Sequence, residues 1–477
     1  MKSLVWFRSD LRTDDNPALR EACSVSDDGV IAVFVVCPEQ WKRHDWADIR
    51  VAFLLRNLRA LSDALSGLNI PLLIRECRDF GGVPDVLERV IREHAIDCLC
   101  FNREYEVNET GRDDSVASRC REIGCRVRVS DDQCILTPGA VKTQQDGWYT
   151  VFTPFKKQWL GVYREDGVKS VAPPRKQADP GVARDDVPHS VLGFDAALDR
   201  ADLWPAGEDA ARKRLEQFVE SKIARYDELR DRPDINGTST LSPYLAHGVI
   251  SARVCLEFAI EAHGGLPDPK SKEKSGASVW ISELIWREFY RHLLVAFPRL
   301  CKHQPFQLET RRIRWRDSDE DFAAWCEGRT GIPIVDAAMR QLARTGWMHN
   351  RLRMIAAMFL TKNLLIDWRR GERHFMRHLV DGDLASNNGG WQWSASTGTD
   401  AAPYFRIFNP VSQGKRFDPE GRFVRALVPE LGGIEGDAVH EPWAIPSLLC
   451  GELRYPDPIC DLGETRQRAI DAFKALK

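Results

Sequence analysis

VIAVFVV (30–36) is an unbroken run of apolar and mainly β-branched residues, which is the pattern of a strand buried on both faces of a parallel sheet. Further strand-like runs occur at SLVWF (3–7), PLLIR (71–75), CLCF (98–101) and CRVRV (125–129). Helix-like stretches lie between these runs, at residues 50–65 and 83–94. The alternation predicts an α/β fold with a doubly wound parallel sheet in the N-terminal domain.

Sheets of this kind bind ligands at the carboxyl ends of their strands, so the segments after the predicted strands are the first place to search for a binding motif. No GxGxxG follows the first predicted strand, and GxxxxGK[ST] does not occur in the chain. The usual dinucleotide loop and the usual triphosphate loop are therefore both excluded.

Residues 163–192 are rich in Pro, Gly and charge and keep no sustained period, which is typical of a connecting segment. Beyond it, apolar residues recur at helical spacing near 208–229, 250–263, 278–297, 333–345, 350–366 and 371–380. We therefore predict an α/β domain over 1–132, a long interdomain linker over 133–204 and an all-α C-terminal domain over 205–477.

The composition is that of a globular protein, with 43% hydrophobic and 29% charged residues. Thirteen cysteines with no CxxC pair predict neither a disulfide framework nor a zinc ribbon. No HExxH motif or histidine cluster occurs, so we expect no metal site. No signal-peptide pattern or membrane-length apolar run is present, and we expect a cytoplasmic monomer without membrane contact.

Charge is distributed unevenly, although the net charge is only −3. Residues 287–416 contain 21 Lys and Arg side chains and 13 Asp and Glu side chains, an excess of eight positive charges. A locally basic region on a nearly neutral protein suits a polyanion that docks at one face. A solvated charged surface explains the same count equally well, and charge alone does not separate the two interpretations.

Eight of the fifteen tryptophans lie between residues 280 and 393. In SVWISELIWREFYRHL (278–293), Ile281, Ile285 and Phe289 form one apolar stripe at helical spacing. The opposite side carries a carboxylate, a guanidinium and three aromatic rings, from Trp280, Glu283, Trp286, Arg287 and Tyr290. Such a face suits a planar, anionic ligand that forms hydrogen bonds; a solvated Glu–Arg pair is the alternative.

DGDLASNNGGWQWSAS (381–396) fits neither an amphipathic helix nor a strand. We place Asp381 and Asp383 in a Gly-containing turn, and we expect the glycines of NNGG to let the backbone approach a ligand closely. Asn387 and Asn388 carry amides that both donate and accept hydrogen bonds. The stretch therefore predicts part of a ligand site, with its acids in charge-assisted pairs.

NGTSTLSPYLAHGVIS (236–251) places four hydroxyl side chains directly before a predicted helix that starts near Pro243. Hydroxyl and backbone donors at a helix start form a phosphate site. Ser-Pro helix starts are also common without any ligand, so this motif is weak when taken alone.

Taken together, these stretches resemble the DNA photolyase/cryptochrome family, and within it the microbial folate-type photolyases of cyclobutane pyrimidine dimers (class I). The likeness runs from residue 1 to about residue 460. It is carried by WFRSDLRTDDNPAL (6–19), EYEVNE (104–109), TSTLSPYL (238–245), SVWISELIWREFYRHL (278–293), GIPIVDAAMRQL (331–342), TGWMHNRLRM (345–354), DGDLASNNGGWQW (381–393) and GTDAAPYFRIFNP (398–410).

The resemblance implies an α/β antenna domain, a linker and an all-α domain that binds flavin adenine dinucleotide (FAD) in a U shape. By matching residues, the phosphates and ribose would be held by Tyr226, Thr238, Ser239, Thr240, Leu241 and Ser242. The flavin would be lined by Trp280, Glu283, Arg287, Asn350, Arg353, Asp381, Asp383 and Asn387. Asn387 would face flavin N5, and Asp381 would pair with Arg353. Polar groups of fixed orientation in a dry cavity stabilise an anionic reduced flavin.

The implied partner is damaged DNA that contains pyrimidine dimers, which must be flipped out of the duplex to reach a buried flavin. The lesion would be contacted by Arg230, Glu283, Trp286, Asn350, Arg351, Met354 and Trp393. The two tryptophans would stack on the bases, while Glu283 and Asn350 would bond the base edges. Backbone phosphates would be contacted by Arg230, Arg351, Arg406 and Lys415.

The implied reaction is light-dependent repair, in which photoexcited reduced FAD donates an electron to the flipped-out dimer, the carbon–carbon bonds between the bases break and the electron returns. Glu283 and Asn350 would act at the lesion. Trp391, Trp368 and Trp315 would carry electrons to oxidised flavin under light, because an indole is readily oxidised by one electron.

The antenna cofactor implied by the resemblance is 5,10-methenyltetrahydrofolate. The matching positions are His44, Asn108, Glu109, Cys301 and Lys302. Glu109 would accept from the amide edge of the pterin. Some relatives bind a deazaflavin and some have no antenna, so these alternatives stay open.

Two other functions occur in the same family. A (6-4) photoproduct photolyase has a pair of histidines where this chain has WMHNRLRM, in which His349 stands alone. A cryptochrome-type photoreceptor commonly has an acid at the position of Asn387 and a long tail. The differences between this chain and these two groups favour repair of cyclobutane dimers over both alternatives.

Overall fold

The sheet predicted from the first 130 residues is present in the computed structural model, which describes residues 1–270, 274–446 and 454–476. Five parallel strands lie in the order β3-β2-β1-β4-β5. Their bounds are β1 (Ser3–Phe7), β2 (Val30–Val36), β3 (Leu72–Glu76), β4 (Cys98–Asn102) and β5 (Arg126–Ser130). Every residue of β1, β2 and β4 is buried, which explains why these runs are almost continuously apolar.

Helices cross between the strands because parallel neighbours cannot be joined by a short hairpin. They are α1 (Pro17–Val25), α2 (Pro38–Arg43), α3 (Asp48–Gly67), α4 (Val83–Glu93) and α5 (Val107–Glu122). The helices predicted at 50–65 and 83–94 are α3 and α4. The predicted α/β class of the N-terminal domain is therefore confirmed.

The rest of the described chain is helical, as predicted. The α-helices are α6 (Phe152–Asp166), α7 (Glu208–Ser221), α8 (Tyr226–Leu229), α9 (Ser242–Ala246), α10 (Ala252–His263), α11 (Gly276–Ala296), α12 (Asp319–Glu327), α13 (Pro333–Thr345), α14 (Asn350–Met358), α15 (Trp368–Met376), α16 (Leu384–Ala395), α17 (Pro410–Phe417), α18 (Arg422–Leu427) and α19 (Leu462–Lys474). A π-helical turn, Phe359–Asn363, continues α14. Short 3₁₀ turns lie at Phe80–Gly82, Ala196–Leu198, Ile223–Arg225, Pro298–Lys302, Leu308–Arg312, Pro429–Leu431, Gly436–His440 and Pro442–Ala444.

Helix α6 lies inside the segment that the sequence indicates as the linker, where no helix is predicted. It ends at Gly167, whose φ of +61° lies in the left-handed region that favours glycine. Residues 168–195 then contain neither helix nor strand, as the Pro- and Gly-rich composition predicts. The functional boundaries at 1–132, 133–204 and 205–477 stay a prediction.

The chain divides into two compact units that do not follow chain order. The first unit comprises Met1–Ala224, Ser239–Cys301 and Val380–Gly382, and the second comprises Arg225–Thr238, Lys302–Leu379 and Asp383–Lys477. The sheet in the first unit buries an apolar layer that includes Trp6 and Leu99. The core of the second unit surrounds Trp325, Leu352 and Trp391. Within the described ranges, none of the helices has the length and apolar character needed to cross a membrane.

Residues 384–395 form helix α16, which the sequence pattern did not predict; the helix is not amphipathic, as expected. Asp383 caps this helix, since its Oδ2 accepts the Ser386 N–H at 2.9 Å. The glycines of NNGG lie within the helix and not in an open loop. The sequence of α16 shows no apolar stripe, because the helix buries amides in its place. These amides, including that of Asn388, form hydrogen bonds with partners in the tertiary structure.

Candidate functional site

Helix α11 in the first unit has the two faces predicted from its sequence. Ile281, Ile285 and Phe289 are fully buried, whereas Glu283 and Trp286 on the opposite side are partly exposed. The helix therefore presents a polar and aromatic face, as expected for a face that contacts a ligand.

Two tryptophans of α11 are held by rings from other helices of the first unit. The Trp280 ring lies 4.9 Å from the Phe218 ring, and Trp280 is buried. Trp286 stacks on Phe152 with ring centroids 3.6 Å apart and planes only 7° apart. Phe152 therefore sets the plane of the Trp286 indole, which is the residue predicted to stack on the lesion.

Arg287 connects α11 to two loops of the first unit. Its guanidinium donates to the Gln133 carbonyl at 2.6 Å and to the Leu245 carbonyl at 3.4 Å. These two contacts position a permanent positive charge on the same face as Glu283.

The hydroxyl-rich turn before α9 is also stabilised within the first unit. Thr240 has a φ of +49°, and its hydroxyl donates to the Ser239 carbonyl at 2.8 Å. The Arg214 guanidinium of α7 donates to the Thr240 hydroxyl at 2.5 Å. Arg214 was missed from the sequence because it lies on a different helix, and only the tertiary structure brings it to the turn. Hydroxyls next to a guanidinium form a donor set that suits phosphate oxygens.

Asn387 in the second unit is held by a buried acidic residue of α15. The Asn387 Nδ2 donates to the Glu372 carbonyl at 3.0 Å, and the Asn388 Nδ2 donates to Glu372 Oε1 at 2.8 Å. Glu372 Oε2 lies 2.8 Å from His303 Nδ1. Glu372 was not predicted, since a single Glu in a helix carries no sequence signal of this role.

Helix α14 presents the other candidate residues of the second unit at its start. The His349 Nδ1 accepts the Arg351 N–H at 3.2 Å, which caps the helix directly before Asn350. Arg353 Nε donates to the Met348 carbonyl at 2.8 Å. Burial lowers the pKa of His349 to about 4, so this histidine is neutral at physiological pH.

Arg351 forms an ion pair with Asp231, with Nη2 and Oδ2 2.8 Å apart. Arg230 Nε lies 3.9 Å from the same carboxylate, and the Arg230 guanidinium lies 5.5 Å from the centre of the Tyr226 ring. Arg230 and Arg351, two of the three arginines predicted to contact DNA, are therefore brought together in the second unit, next to one acid. Met354 lies on α14, one turn beyond Asn350.

Two further predicted phosphate contacts differ in their surroundings. Arg406 is exposed. Lys415 Nζ lies 2.6 Å from Glu441 Oε2 and 3.7 Å from Asp437 Oδ2. A DNA phosphate would have to compete with these acids for Lys415.

Trp391, Trp368 and Trp315 all contact the core of the second unit. Trp391 and Trp368 are buried, while Trp315 is partly buried at the margin of that core. The Trp391 ring lies 4.9 Å from the Phe375 ring in an edge arrangement. Trp393, two residues along α16, is partly exposed. The surroundings of this series therefore range from dry core to partly solvated surface.

The predicted antenna residues of α2 and α5 meet in the first unit. His44 Nε2 lies 2.9 Å from Asn108 Nδ2 and 2.8 Å from Gln40 Nε2. His44 Nδ1 lies 3.4 Å from Glu109 Oε1. Phe80 contacts the edge of the His44 ring, with centroids 5.6 Å apart. We call His44, Asn108, Glu109, Gln40 and Phe80 the His44 cluster.

Burial decides the charge states in the His44 cluster. It lowers the pKa of His44 to about 4 and raises the pKa of Glu109 to about 8. The contact between them is therefore a contact of two neutral groups at pH 7, although its geometry is that of an ion pair. A protonated Glu109 has an O–H that donates, in addition to oxygens that accept.

The remaining predicted antenna residues are Cys301 and Lys302. The Cys301 thiol lies at the Val107 backbone, at the start of α5. Burial raises the pKa of Cys301 to about 11, so it is a neutral thiol. Lys302 is exposed at the end of a 3₁₀ turn and belongs to the second unit, and its place beside the other four residues stays a prediction.

The crevice at the carboxyl ends of β1 and β4, where the strand order reverses, is filled by buried charges. Arg112 Nη2 donates to Glu104 Oε2 at 2.6 Å, and the Arg8 guanidinium lies 4.1 Å from the Trp6 ring centre. Burial opposes ionisation of Glu104, but Arg112 and Arg8 outweigh it and hold its pKa at about 2. This crevice is the usual ligand position of such sheets, and side chains of the protein occupy it here.

Within residues 1–270, 274–446 and 454–476, no group of three or more His, Cys, Asp or Glu side chains is arranged to bind a metal ion.

The remaining predicted cofactor residues have these positions: Tyr226 begins α8, Thr238 and Leu241 flank the hydroxyl turn, Ser242 begins α9 and Asp381 is buried in a turn before α16.

Comparison with known proteins identifies the class. The chain matches the family model described as DNA photolyase over residues 3–176, and the model described as FAD binding domain of DNA photolyase over residues 280–475. The chain therefore belongs to the DNA photolyase family.

Several relatives carry the name deoxyribodipyrimidine photo-lyase, and two of them serve for comparison. The chain is 47% identical to that of Salmonella typhimurium and 46% identical to that of Escherichia coli, in both cases over 474 residues that cover 99% of this chain and 98% of the relative.

Two solved structures have the same fold. A class III photolyase from Agrobacterium tumefaciens matches with a TM-score of 0.89 at 35% identity, covering 100% of this chain and 97% of that one. A cryptochrome from Synechocystis matches with a TM-score of 0.84 at 25% identity, covering 99% of both chains. The α/β domain followed by a helical remainder is therefore the architecture of this family.

Proposed function

We propose that this protein is a deoxyribodipyrimidine photo-lyase that uses light and FAD to split cyclobutane pyrimidine dimers in DNA. The observation that carries the proposal is the 46–47% identity to two photo-lyases across almost the full length of both chains. We further propose that it acts as a monomer in the cytoplasm, on DNA and without a metal.

The described side chains have the chemistry that FAD requires. The hydroxyls before α9, with Arg214 at Thr240, offer donors for the phosphates. The phosphates and ribose would be held by Tyr226, Thr238, Ser239, Thr240, Leu241 and Ser242. The flavin ring would be lined by Trp280, Glu283, Arg287, Asn350, Arg353, Asp381, Asp383 and Asn387. Bound FAD, once reduced and excited by light, would donate the electron that splits the dimer.

Asn387 would orient the flavin through one defined atom. Because its Nδ2 donates to the Glu372 carbonyl, the side chain presents Oδ1 as an acceptor toward a protonated flavin nitrogen. The Glu372 carboxylate holds Asn388 and His303 at the same time, which limits rotation of this part of α16.

The lesion side would use the exposed face of α11 and the start of α14. A flipped dimer would stack on Trp286 and Trp393, and Glu283 and Asn350 would bond the base edges. Phe152 supports this role, since it already sets the plane of the Trp286 ring. The lesion contacts would be completed by Arg230, Arg351 and Met354, with Arg406 and Lys415 on the backbone phosphates.

Trp391, Trp368 and Trp315 would serve to reduce oxidised flavin under light. Trp391 lies in the apolar core of the second unit, where it contacts Phe375 and Trp325, and such surroundings have a low dielectric constant. A partly exposed Trp315 at the end of the series would let the oxidised indole release a proton to water or accept an electron from an external reductant.

For the antenna we propose 5,10-methenyltetrahydrofolate, bound at the His44 cluster together with Cys301 and Lys302. Neutral Glu109, His44 and Asn108 offer both donors and acceptors, which suits the amide edge of a pterin. A deazaflavin or second flavin in the sheet crevice is disfavoured, because Arg8, Arg112 and Glu104 fill that crevice.

The two alternatives within the family receive less support. A (6-4) photolyase needs an acidic histidine at the lesion, whereas His349 caps α14 and its pKa lies near 4. A cryptochrome shares the fold, as the Synechocystis structure illustrates. The presence of Asn387, and not an acid, favours repair.

The test is direct. The purified protein, loaded with FAD and chemically reduced, is illuminated with near-ultraviolet or blue light in the presence of an oligonucleotide that carries one thymine dimer. Restored thymines, measured by chromatography, are expected only in the illuminated sample. Persistence of the dimer under light, with flavin bound and reduced, would contradict the proposal. A parallel oligonucleotide with a (6-4) lesion should remain unchanged.

A further inference from the structure

Cys37 and Cys77 lie side by side at the ends of neighbouring strands in the first unit. β2 and β3 pair in register up to Val36 and Glu76, and each cysteine is the residue that directly follows its strand. The ladder continues for one more bond, from the Cys77 N–H to the Val36 carbonyl at 3.0 Å. The two Sγ atoms are 3.5 Å apart, which is close to van der Waals contact.

The two thiols differ in access and in acidity. Cys77 is partly exposed, whereas Cys37 is 2% exposed. The hydrogen bond between them lowers the pKa of Cys77 and raises the pKa of Cys37. An accessible, more acidic thiol beside a buried thiol is the arrangement of an attacking cysteine and its resolving partner.

We propose that Cys37 and Cys77 form a reversible disulfide that responds to low-molecular-weight disulfides such as oxidised glutathione. The Cys77 thiolate attacks one sulfur of oxidised glutathione, forming a mixed disulfide and releasing one glutathione thiol. Cys37 then loses its proton and attacks Cys77 Sγ, releasing the second glutathione thiol. Two protein thiols are oxidised and one glutathione disulfide is reduced.

The new bond draws the two sulfurs from 3.5 Å to about 2.05 Å, and that movement acts on the His44 cluster. Cys37 directly precedes α2, which carries Gln40 and is followed directly by His44. Cys77 lies three residues before Phe80, whose ring contacts His44. We expect the oxidised form to retain 5,10-methenyltetrahydrofolate less tightly; this step rests on the proposed antenna function.

Other close sulfurs in the first unit provide the matched control. Cys98 and Cys100 have Sγ atoms 3.8 Å apart, but both belong to β4 and both are fully buried. Neither is open to an oxidant. These two thiols are expected to stay reduced under conditions that oxidise Cys37 and Cys77.

The experiment uses the full-length protein with FAD bound. It is equilibrated with oxidised glutathione, alkylated and digested, and the cysteine peptides are identified by mass spectrometry. We expect a linked peptide pair from Cys37 and Cys77, removal of the link by dithiothreitol, and unmodified Cys98 and Cys100. Cys77→Ser should abolish the link, and Cys98→Ser should leave it intact.

Two results would overturn the disulfide: both thiols remaining free, or Cys77 remaining as a stable mixed disulfide with glutathione. Neither result depends on folding of a variant, since both are read from the unsubstituted protein. Release of 5,10-methenyltetrahydrofolate is measured separately, from its absorbance after gel filtration. If the link forms but folate retention changes less than twofold, the coupling to the antenna is wrong. If reduced protein binds no folate at all, the antenna proposal itself fails, and the thiol chemistry is unaffected.

Discussion

Glu109 and His44 have the geometry of an ion pair, yet burial drives both toward their neutral forms. The consequence for stability follows from linkage. The pKa of Glu109 is about 8 in the folded protein and near its ordinary value of 4.5 when unfolded. The folded state therefore binds the proton more tightly, and the stability that this proton contributes is present below pH 4.5 and lost as the pH rises toward 8.

Glu109→Gln should remove this dependence, because a neutral amide replaces the titrating carboxyl. From pH 5 to pH 8 the free energy of unfolding of the native protein should fall relative to that of Glu109→Gln. The expected fall is at most about 1.4 kcal/mol per pH unit. Urea unfolding at a series of pH values measures it. Glu122→Gln, on the exposed side of the same helix, should run parallel to the native protein, and parallel curves for Glu109→Gln would contradict the argument.

Glu372 shows how one buried side chain supports several neighbours, since its carboxylate contacts both Asn388 and His303. Glu372→Gln leaves a similar shape but gives His303 Nδ1 an amide in place of a carboxylate. We expect a loss of about 1–3 kcal/mol in the free energy of unfolding and weaker retention of FAD. Chemical denaturation and flavin absorbance after dialysis measure the two effects. Glu327→Gln, on the surface of the second unit, is the control and should change neither.

At the scale of single elements, α11 was predictable and α16 was not. The apolar stripe of α11 follows the helical period, so its polar face was visible in the sequence. Helix α16 buries amides in place of an apolar stripe, and its hydrogen-bond partners come from elsewhere in the chain, including Glu372 and Gln304. A Cβ atom at position 371 of α15 would collide with the Trp391 ring, so the contact between α15 and α16 depends on Gly371. No local pattern contains this information.

Trp286→Ala on α11 should weaken binding of dimer-containing DNA by about 1–3 kcal/mol, which is the range of a base stacking on an aromatic ring. Binding of undamaged DNA should change little, because the base stays in its duplex. Fluorescence anisotropy with matched oligonucleotides, with and without one dimer, measures both affinities. An equal loss on the two DNAs would argue against a lesion-stacking role for Trp286.

Trp391→Phe on α16 should slow light-driven reduction of oxidised flavin by at least about tenfold, since benzene is far harder to oxidise than indole. Repair by chemically reduced protein should persist. Time-resolved or steady-state flavin absorbance under illumination provides the readout. Trp325→Phe is the matched control, because Trp325 is equally buried and contacts Trp391 without belonging to the proposed series.

On the scale of the whole molecule, a nearly neutral protein would bind a polyanion through its local excess of arginine and lysine between residues 287 and 416. Each phosphate contact releases counterions, so DNA affinity should fall steeply with salt. Arg406 is exposed, whereas Lys415 has Glu441 and Asp437 as neighbours. The two positions should therefore contribute unequally.

Arg406→Ala should reduce the slope of log affinity against log salt by about 0.9, the value for one phosphate contact. Lys415→Ala should reduce it by less, because removal of the lysine also removes a partner of two acids. Binding isotherms at several salt concentrations measure both slopes. An unchanged slope for Arg406→Ala would show that Arg406 does not contact a DNA phosphate.

The sequence by itself determined the α/β class, the helical remainder and the family, because buried parallel strands, helical periods and long motifs are local properties of the chain. Only the tertiary structure revealed Arg214 at Thr240, Glu372 behind Asn387 and Cys77 beside Cys37. These contacts join residues that are 15 to 40 positions apart. Hydrogen bonds and sulfur contacts of that kind depend on how elements pack, and packing is decided by the whole chain at once.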